Sequence, residues 1–385
     1  MQSLSSQKSQ NSSKPLVIPI FIPHLGCPHQ CAFCNQSIIT KKDNTSDIPS
    51  EGEIRKIVDN FLQYRGSRAD VELAFFGGNF LGLKPNQITS LLLSGKMLAD
   101  EKKIDSIRFS TRPETITKDR FELIAQYPVT TIEIGVQSMD NRVLKAARRG
   151  HTAEDTINAI TLLRKSCHIY KQNQDTMQDN KIDRKVKSDR LKIGIQMMVG
   201  LPEDSKDSAI ETAKKIASFK PDFVRIYPLI VLEKSPIAKW YRQGKYEPLS
   251  LDGAVGLVKE IFLIFQKRSI PVIRMGLQAS DLLEDRLSMV AGPWHPAFGH
   301  LVYSEIFFDK ALNLIEKSSF AKDRDKIKTI TLSVHPSSIS RLIGDKSYNI
   351  KRLKEIYPSI ELKIKTDNSL DSFSLKRVDE KVYKI

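Results

Sequence analysis

The chain has 385 residues, of which 40% are hydrophobic and 27% are charged. These proportions are ordinary for a globular protein, and no apolar run is long enough to cross a bilayer, so we expect a cytoplasmic protein with no membrane partner. The 60 basic and 45 acidic residues give a formal charge of +15. This excess favours polyanionic partners such as nucleic acid, although a lysine-rich surface also accounts for it.

The length predicts one large domain and a smaller one. Residues 1–14 are polar and rich in Ser and Gln, without the apolar core of a signal peptide, so we expect a disordered tail. We expect the large domain over residues 15–300 and a basic module over residues 301–385.

Six short apolar runs in the large domain have the length of buried β-strands. They are LVIPIFI (16–22), VELAFF (71–76), IRFS (107–110), TTIEIGV (130–136), KIGIQMMV (192–199) and FVRIY (223–227). Amphipathic helical patterns lie between them. The alternation predicts an α/β fold, a partial (βα)6 barrel whose active site lies at the carboxyl ends of the strands.

This pattern continues after the sixth run and is interrupted once before the fifth. A helix over about 251–268 and a candidate strand at 271–276 follow the sixth run. The segment 171–190 is charged and poor in apolar residues, so it predicts a mobile surface insert between a helix and the fifth strand.

A cysteine cluster follows the first strand, where Cys27, Cys31 and Cys34 give the spacing C-x3-C-x2-C. Three thiolates on one short loop can ligate three corners of a [4Fe-4S] cluster and leave one iron open. The alternatives are a zinc site or buried thiols, but zinc usually takes four protein ligands in structural sites. The remaining cysteine, Cys167, continues the apolar face of a helix and is expected to be a small buried hydrophobe.

The cysteine motif closely resembles that of the radical S-adenosylmethionine (SAM) superfamily. The resemblance implies that the open iron binds SAM and that the cluster cleaves it to a 5'-deoxyadenosyl radical. It also implies that Phe33 packs near the adenine and that Gly77 and Gly78, after the second strand, bind the SAM amino group. Asn79 follows them, where many members carry Glu.

Three later positions complete the predicted SAM site. By the same resemblance, Thr111 after the third strand and Gln137 after the fourth contact the ribose or carboxylate of SAM. Gln196 lies within an otherwise apolar strand, so its amide needs a buried partner, for which SAM is suitable. The sequence identifies no catalytic residue of the protein itself.

A narrower resemblance covers about residues 15–300. The segments AFFGGNF, STRPETI, IEIGVQSMD, RRGHT and RIYP are similar to the radical SAM half of the elongator catalytic subunit, in particular its short bacterial relatives. That family modifies a wobble uridine of tRNA using acetyl-coenzyme A, which implies tRNA or another RNA as substrate and a flavodoxin or ferredoxin type electron donor. Residues after 300 show no acyl-coenzyme A binding loop, which leaves the acetyl donor open.

The basic module has the predicted order strand, helix, tight turn, helix, strand, which resembles the core of a KH RNA-binding module. KH turns read G-x-x-G, whereas this turn is Gly344-Asp345-Lys346-Ser347. Residues 318–385 carry 15 basic and 9 acidic side chains. Lys346, Lys351 and Arg352 are therefore the candidates for contacts with RNA phosphates.

Three functions remain open at the level of sequence. The first is a radical SAM enzyme that modifies tRNA or another RNA. The second is a radical SAM enzyme on a small molecule, similar to coproporphyrinogen dehydrogenases. The third is a non-catalytic Fe-S or RNA-binding protein that keeps the fold.

Overall fold

The structure is a computed structural model that describes residues 15–22, 26–35, 48–64, 66, 70–178, 191–277, 288–317 and 328–382. No helix in these ranges is long and apolar enough to cross a membrane. Their strands are β1 (Leu16–Ile22), β2 (Val71–Gly77), β3 (Ser106–Thr111), β4 (Val129–Gln137), β5 (Lys192–Val199), β6 (Phe223–Pro228), β7 (Val231–Leu232), β8 (Val272–Met275), β9 (Met289–Ala291), β10 (Lys328–Val334), β11 (Ile360–Thr366) and β12 (Leu375–Val382). Their helices are α1 (Glu51–Leu62), α2 (Pro85–Asp100), α3 (Lys118–Ile124), α4 (Asn141–Ala146), α5 (Ala153–Gln178), α6 (Lys206–Ser218), α7 (Pro236–Arg242), α8 (Leu251–Lys267), α9 (Phe298–Glu316), α10 (Ile339–Ile343) and α11 (Tyr348–Ile356).

Seven strands form one parallel sheet in the order β1-β2-β3-β4-β5-β6-β8, which curls into a half-barrel. Every residue of β4 is buried, as expected of a central strand covered on both faces. The predicted partial barrel is confirmed, because the six apolar runs are β1 to β6. The candidate strand at 271–276 is β8, the seventh strand of the sheet.

The convex face of the half-barrel holds the main hydrophobic core. Alternate strand residues such as Ile18, Ile132 and Ile195 are fully buried there, and apolar residues of α2, α6 and α8 belong to the same cluster. The concave face instead carries charged and polar side chains, including Glu133, which is also fully buried. The two faces of the sheet therefore differ, with the apolar core on one and the polar side chains on the other.

Side-chain caps define where several barrel helices begin. Ser50 and Glu53 form a capping box at the start of α1, and Ser250 accepts a hydrogen bond from the Gly253 amide at the start of α8. These caps satisfy amides that have no partner inside the helix. They fix loop-to-helix transitions that follow the carboxyl ends of the strands, the end at which the site is predicted.

The charged insert does not begin where the sequence composition suggested. Helix α5 continues to Gln178, so the first part of the segment 171–190 is helical. Residues 171–178 contain neither Gly nor Pro and include good helix formers, which accounts for the continuation. The remainder of the expected mobile insert, 179–190, lies outside the described residues.

The C-terminal module is a three-stranded sheet in the order β11-β10-β12. Strand β10 pairs in parallel with β11 and antiparallel with β12, and α10 and α11 connect β10 to β11. The predicted order of strand, helix, turn, helix and strand is confirmed. Ile330 and Leu332 of β10 pack against Leu342 and Leu353 of these helices in a second core.

Helix α9 belongs to both cores. Val302 and Ile306 lie in the barrel core, whereas Phe307 and Ile315 lie in the core of the C-terminal module. The domain boundary expected near residue 300 therefore falls in the first turn of a helix that the two units share.

Candidate active site

The cysteine loop follows β1 and lies against the turn after β2. Cys31 is buried, whereas Cys27 and Cys34 are partly exposed. Gly26 has a φ of +80°, and an added Cβ there would overlap the carbonyl oxygen of Asn79. Only glycine fits this close approach, so the local backbone is built around the absence of a side chain.

Long-range hydrogen bonds hold the middle and the end of the loop. The Ala32 amide donates to the carbonyl of Ala147 at 2.9 Å, and the Ile237 amide donates to the carbonyl of Ala32 at 2.9 Å. The Asn35 side chain donates to the carbonyl of Glu233 at 2.7 Å. The loop is thus fixed between α4 and α7 before any ligand binds.

The donor set of the loop is three cysteine thiols. Among the described side chains, no group of three His, Cys, Asp or Glu residues converges closely enough to hold one metal ion. A structural zinc ion usually takes four protein ligands, whereas three thiolates are sufficient for a four-iron cluster with one open iron. The side chain of Cys167 lies outside the described residues, so its expected burial stays a prediction.

Two buried arginines lie beside the cysteines. Nη1 of Arg112 is 3.6 Å and Nη1 of Arg149 is 3.3 Å from the Cys31 Sγ. Burial raises the pKa of the Cys27 thiol, and the charges of Arg112 and Arg149 oppose that rise. The pair therefore favours the thiolate form that a metal requires. Neither arginine was among the predicted cofactor-binding residues, although they belong to the STRPETI and RRGHT segments.

Arg112 is anchored in place by further contacts. Its guanidinium forms an ion pair with Glu114 and donates to the backbone carbonyl of Arg149. Nδ1 of His151 lies 3.5 Å from the second oxygen of Glu114. Burial, together with the charges of Arg149 and Arg112, lowers the pKa of His151 to about 3, so this ring stays neutral.

Gln137 lies at the carboxyl end of β4 in a backbone conformation that residues other than glycine rarely adopt. Its φ is +64°, and the pairing of β4 with β5 shifts register between Gly135 and Gln137. Its Oε1 atom is buried and has no hydrogen-bond partner among the described residues. Since such a group costs about 1–3 kcal/mol, backbone strain and an unsatisfied amide together point to a ligand here.

Asn79 and Thr111 are almost completely buried, at 0% and 2% exposure. Asn79 Oδ1 accepts from the Thr111 hydroxyl at 2.8 Å and from the Arg112 amide at 3.0 Å. The Leu81 amide donates to the Thr111 hydroxyl at 3.1 Å. These contacts position both side chains, and the contact with SAM expected of them from the sequence stays a prediction.

The side chain of Gln196 is hydrogen-bonded to other side chains on the concave face of the half-barrel. Its Nε2 donates to Glu133 at 2.9 Å and to the Ser110 hydroxyl at 3.2 Å. The expectation that its amide needs a buried partner is met by protein side chains. A contact between Gln196 and SAM stays a prediction.

The remaining predicted SAM residues surround the cysteine loop. Phe33 packs against an apolar cluster that includes Val143 and Ile237. Gly77 has a φ of +101° and leaves no room for a Cβ against the Ile22 carbonyl, to which Gly78 donates its amide at 3.4 Å. The glycine pair therefore closes β2 onto β1 beside the cysteines.

Comparison with known proteins agrees with this geometry. Residues 21–174 match the Radical SAM superfamily, and residues 221–307 match the Radical_SAM C-terminal domain. The chain belongs to the radical SAM superfamily. The recognition made from the cysteine spacing and strand-end motifs is confirmed.

Curated relatives and a solved structure show what this radical SAM protein is similar to. An uncharacterised protein of Methanocaldococcus jannaschii is 27% identical over 65% of this chain and 72% of its own length. The tRNA uridine(34) acetyltransferase of Methanocaldococcus infernus is 25% identical over 70% of this chain and 55% of its own length. The structure of Methanocaldococcus infernus Elp3 with an N-terminal deletion has a TM-score of 0.55 and 21% identity, over 77% of this chain and 63% of that one. The chain thus matches little more than half of the acetyltransferase.

Radical SAM proteins bind a [4Fe-4S] cluster and SAM, and the residues present fit both cofactors. The fixed loop presents Cys27, Cys31 and Cys34, with buried positive charge beside it. The unsatisfied Oε1 of Gln137 supplies a polar contact at the strand ends, where SAM would lie. Ligation of the cluster by the three cysteines and contact of Gln137 with SAM stay predictions.

The candidate RNA-binding residues differ in their surroundings. Lys346 and Lys351 are exposed, and Lys346 has a φ of 47° in the turn between α10 and α11. Arg352 forms an ion pair with Glu305 of α9 and lies 3.7 Å above the ring of Phe308. Its guanidinium holds α11 against α9. The sequence alone could not distinguish this structural contact from a contact with RNA.

Proposed function

We propose that this radical SAM enzyme cleaves SAM and modifies a nucleoside of tRNA, in the manner of the wobble-uridine enzymes that it resembles. The similarity to the tRNA uridine(34) acetyltransferase along 70% of the chain carries the proposal. The substrate, the cleavage of SAM and the use of a small electron-transfer protein as reductant are parts of the proposal.

The protein contributes fixed geometry and charge to this reaction. When bound, the cluster and SAM supply the radical chemistry. Cys27, Cys31 and Cys34 would hold the cluster, while Arg112 and Arg149 keep positive charge beside the thiolates. Neutral His151 adds no further charge at physiological pH, because its pKa is about 3.

Binding of RNA is supported by the charge of the chain and by the C-terminal module. The whole protein carries a formal charge of +15, and Lys346 and Lys351 are exposed in a helix-turn-helix segment. Exposed lysines of this kind suit the phosphate backbone of RNA. The likeness to a KH module stays a prediction.

The test is the nucleoside content of tRNA from cells that lack the gene. Mass spectrometry of tRNA digests should show one modified nucleoside missing from the deletion strain and restored by the wild-type chain. A Cys31→Ala chain expressed at the same level should not restore it. Identical nucleoside profiles in the deletion and parent strains would reject tRNA as the substrate.

A further inference from the structure

A network of charged side chains crosses the concave face of the half-barrel. Glu133 accepts hydrogen bonds from Arg108 at 3.2 Å and from Arg225 at 3.1 Å. Arg108 also forms an ion pair with Glu72. Two arginines and two carboxylates therefore neutralise each other within this network.

A β-bulge adds a further arginine to the edge of this face. Val224 pairs with Val272, but Arg225 pairs with Arg274, because the register of β6 and β8 shifts by one residue between them. The extra residue, Ile273, is 49% exposed. In a regular strand Arg274 would share the face of Val272, so the bulge turns it to the face of Arg225.

Arg274 adds a positive charge that has no counterion among the described residues. It is half-buried and has no hydrogen bond or ion pair within the described part of the chain. The carboxylate nearest to Arg225 is already shared between Arg225, Arg108 and Gln196. Arg274 is thus left without a carboxylate of its own among the described residues, so an anionic ligand can pair with it.

The surroundings of Arg274 suit a ligand that enters from the open side of the half-barrel. Strand β8 is the last strand of the sheet, so its free edge borders the opening. Tyr227 lies on the same face one step nearer the carboxyl end. Burial raises the pKa of its hydroxyl, while the charges of Arg225 and Arg274 oppose the rise, so the hydroxyl stays protonated and able to donate.

We propose that Arg274, with Arg225 beside it and the Tyr227 hydroxyl above, binds a backbone phosphate of the RNA substrate next to the nucleoside that enters the half-barrel. Guanidinium groups match the geometry of phosphate oxygens, and the Tyr227 hydroxyl can donate a further hydrogen bond. The inference rests on the proposed function, since it names the part of an RNA substrate that this site recognises. It places the substrate on the β6–β8 side of the face, away from the cysteine loop.

The experiment measures binding of an anticodon stem-loop RNA to the full-length, cluster-loaded protein by fluorescence anisotropy. Wild type, Arg274→Gln, Arg274→Lys and Arg268→Gln are compared, where Arg268 is an exposed arginine at the end of α8 and supplies the matched loss of charge. Each protein is titrated with the natural RNA and with RNAs in which either phosphate flanking the target uridine is a neutral methylphosphonate. Iron content and circular dichroism verify that the variants are folded.

We expect Arg274→Gln to weaken binding of the natural RNA by about tenfold, the loss typical of a charge-assisted hydrogen bond. One methylphosphonate should weaken wild type by a similar factor and leave Arg274→Gln unaffected, because both changes remove the same contact. Arg274→Lys should retain part of the affinity, and Arg268→Gln should keep the full methylphosphonate effect.

Two results would overturn the inference while leaving the proposed function intact. In the first, Arg274→Gln binds RNA like Arg268→Gln and keeps the methylphosphonate effect. In the second, Arg274→Gln loses binding of inorganic pyrophosphate with unchanged RNA affinity, which would assign the site to a small phosphorylated co-substrate. Failure of wild type itself to bind the RNA would instead count against the proposed function.

Discussion

The side-chain amide of Asn79 donates a hydrogen bond to the backbone carbonyl of Gly26 across 2.8 Å, which ties the cysteine loop to the turn after β2. The same side chain accepts from Thr111 and from the Arg112 amide. One buried amide therefore connects the loop, the second strand and the third strand.

Replacement of Asn79 should loosen the cysteine loop. Asn79→Ala leaves the Gly26 carbonyl and the Arg112 amide unsatisfied, which we expect to cost about 3 kcal/mol of stability and to lower iron retention. Thermal unfolding and iron assays measure both effects. Asn86→Ala, at the exposed start of α2, is the matched control. Full iron content with normal stability in Asn79→Ala would contradict this role.

The ligand set can be tested one cysteine at a time. Anaerobically purified wild type should carry about four irons per chain, and Cys27→Ala, Cys31→Ala or Cys34→Ala should each lose them, because a three-cysteine site has no spare protein ligand. Cys167→Ala should keep wild-type iron and absorbance. Equal loss of iron from Cys167→Ala would mean that the ligand set is wrong.

Gly135 keeps space for the guanidinium of Arg149. A Cβ at position 135 would lie 2.7 Å from Nη2 of Arg149, which donates to the Gly135 carbonyl at 2.7 Å. Gly135→Ala should push Arg149 away from Cys31 and weaken SAM binding severalfold, measured by equilibrium dialysis. Gly52→Ala, which meets nothing within 4 Å on α1, is the control. Unchanged SAM affinity in Gly135→Ala would show that Arg149 has no part in the site.

The buried ring of His151 predicts an acid-sensitive fold in the metal-free protein. Its pKa in the fold is about 3, below the unfolded value of about 6.5. As the pH falls, the unfolded chain takes up this proton at a higher pH than the folded protein does. The free energy of unfolding is therefore highest above pH 6.5 and decreases as the pH drops toward 3. At pH 5.5 the loss should be about 1.4 kcal/mol.

Urea unfolding of the metal-free protein between pH 7.5 and 5 (about the range in which histidine titrates) measures this loss. His151→Gln should reduce the slope of stability against pH, whereas the exposed Asn86→Gln, which removes no ionisable group, should leave it as in wild type. An identical slope in His151→Gln would show that another group is responsible.

The exposed Lys346 and Lys351 should differ from Arg352, which contacts α9, in their effect on RNA binding. Lys346→Gln and Lys351→Gln should each lower the dependence of RNA affinity on salt by roughly one charge, because each contact releases one counterion. Arg352→Gln should mainly lower thermal stability, since its guanidinium contacts Glu305 and Phe308. Filter binding at several salt concentrations distinguishes these outcomes. If only Arg352→Gln changes the salt dependence, Arg352 contacts the RNA and the two lysines do not.

The sequence predicted those features that depend on local pattern. The cysteine spacing lies within eight residues, and the apolar runs of β1 to β6 mark buried strands without reference to their neighbours. The turn and helices around Lys346 were also predictable, because hydrophobic periodicity is local.

Features that depend on distant contacts could not be predicted in the same way. The partners of Asn79 are Gly26 and Thr111, which are far from it along the chain. Nothing local distinguishes Arg352, which contacts α9, from Lys351, which is exposed. The bulge at Ile273 is a property of strand pairing, so the face of the sheet on which Arg274 lies could not be predicted from the sequence.

Helix α9 couples the packing of the two parts of the protein. Its first half is needed by the barrel core and its second half by the C-terminal core, so melting of either core removes packing from the other. The chain should therefore unfold in one calorimetric transition, and a cut after the helix would expose Phe307 and Ile315. A change in sequence on one unit can accordingly alter the stability of the other through this shared helix.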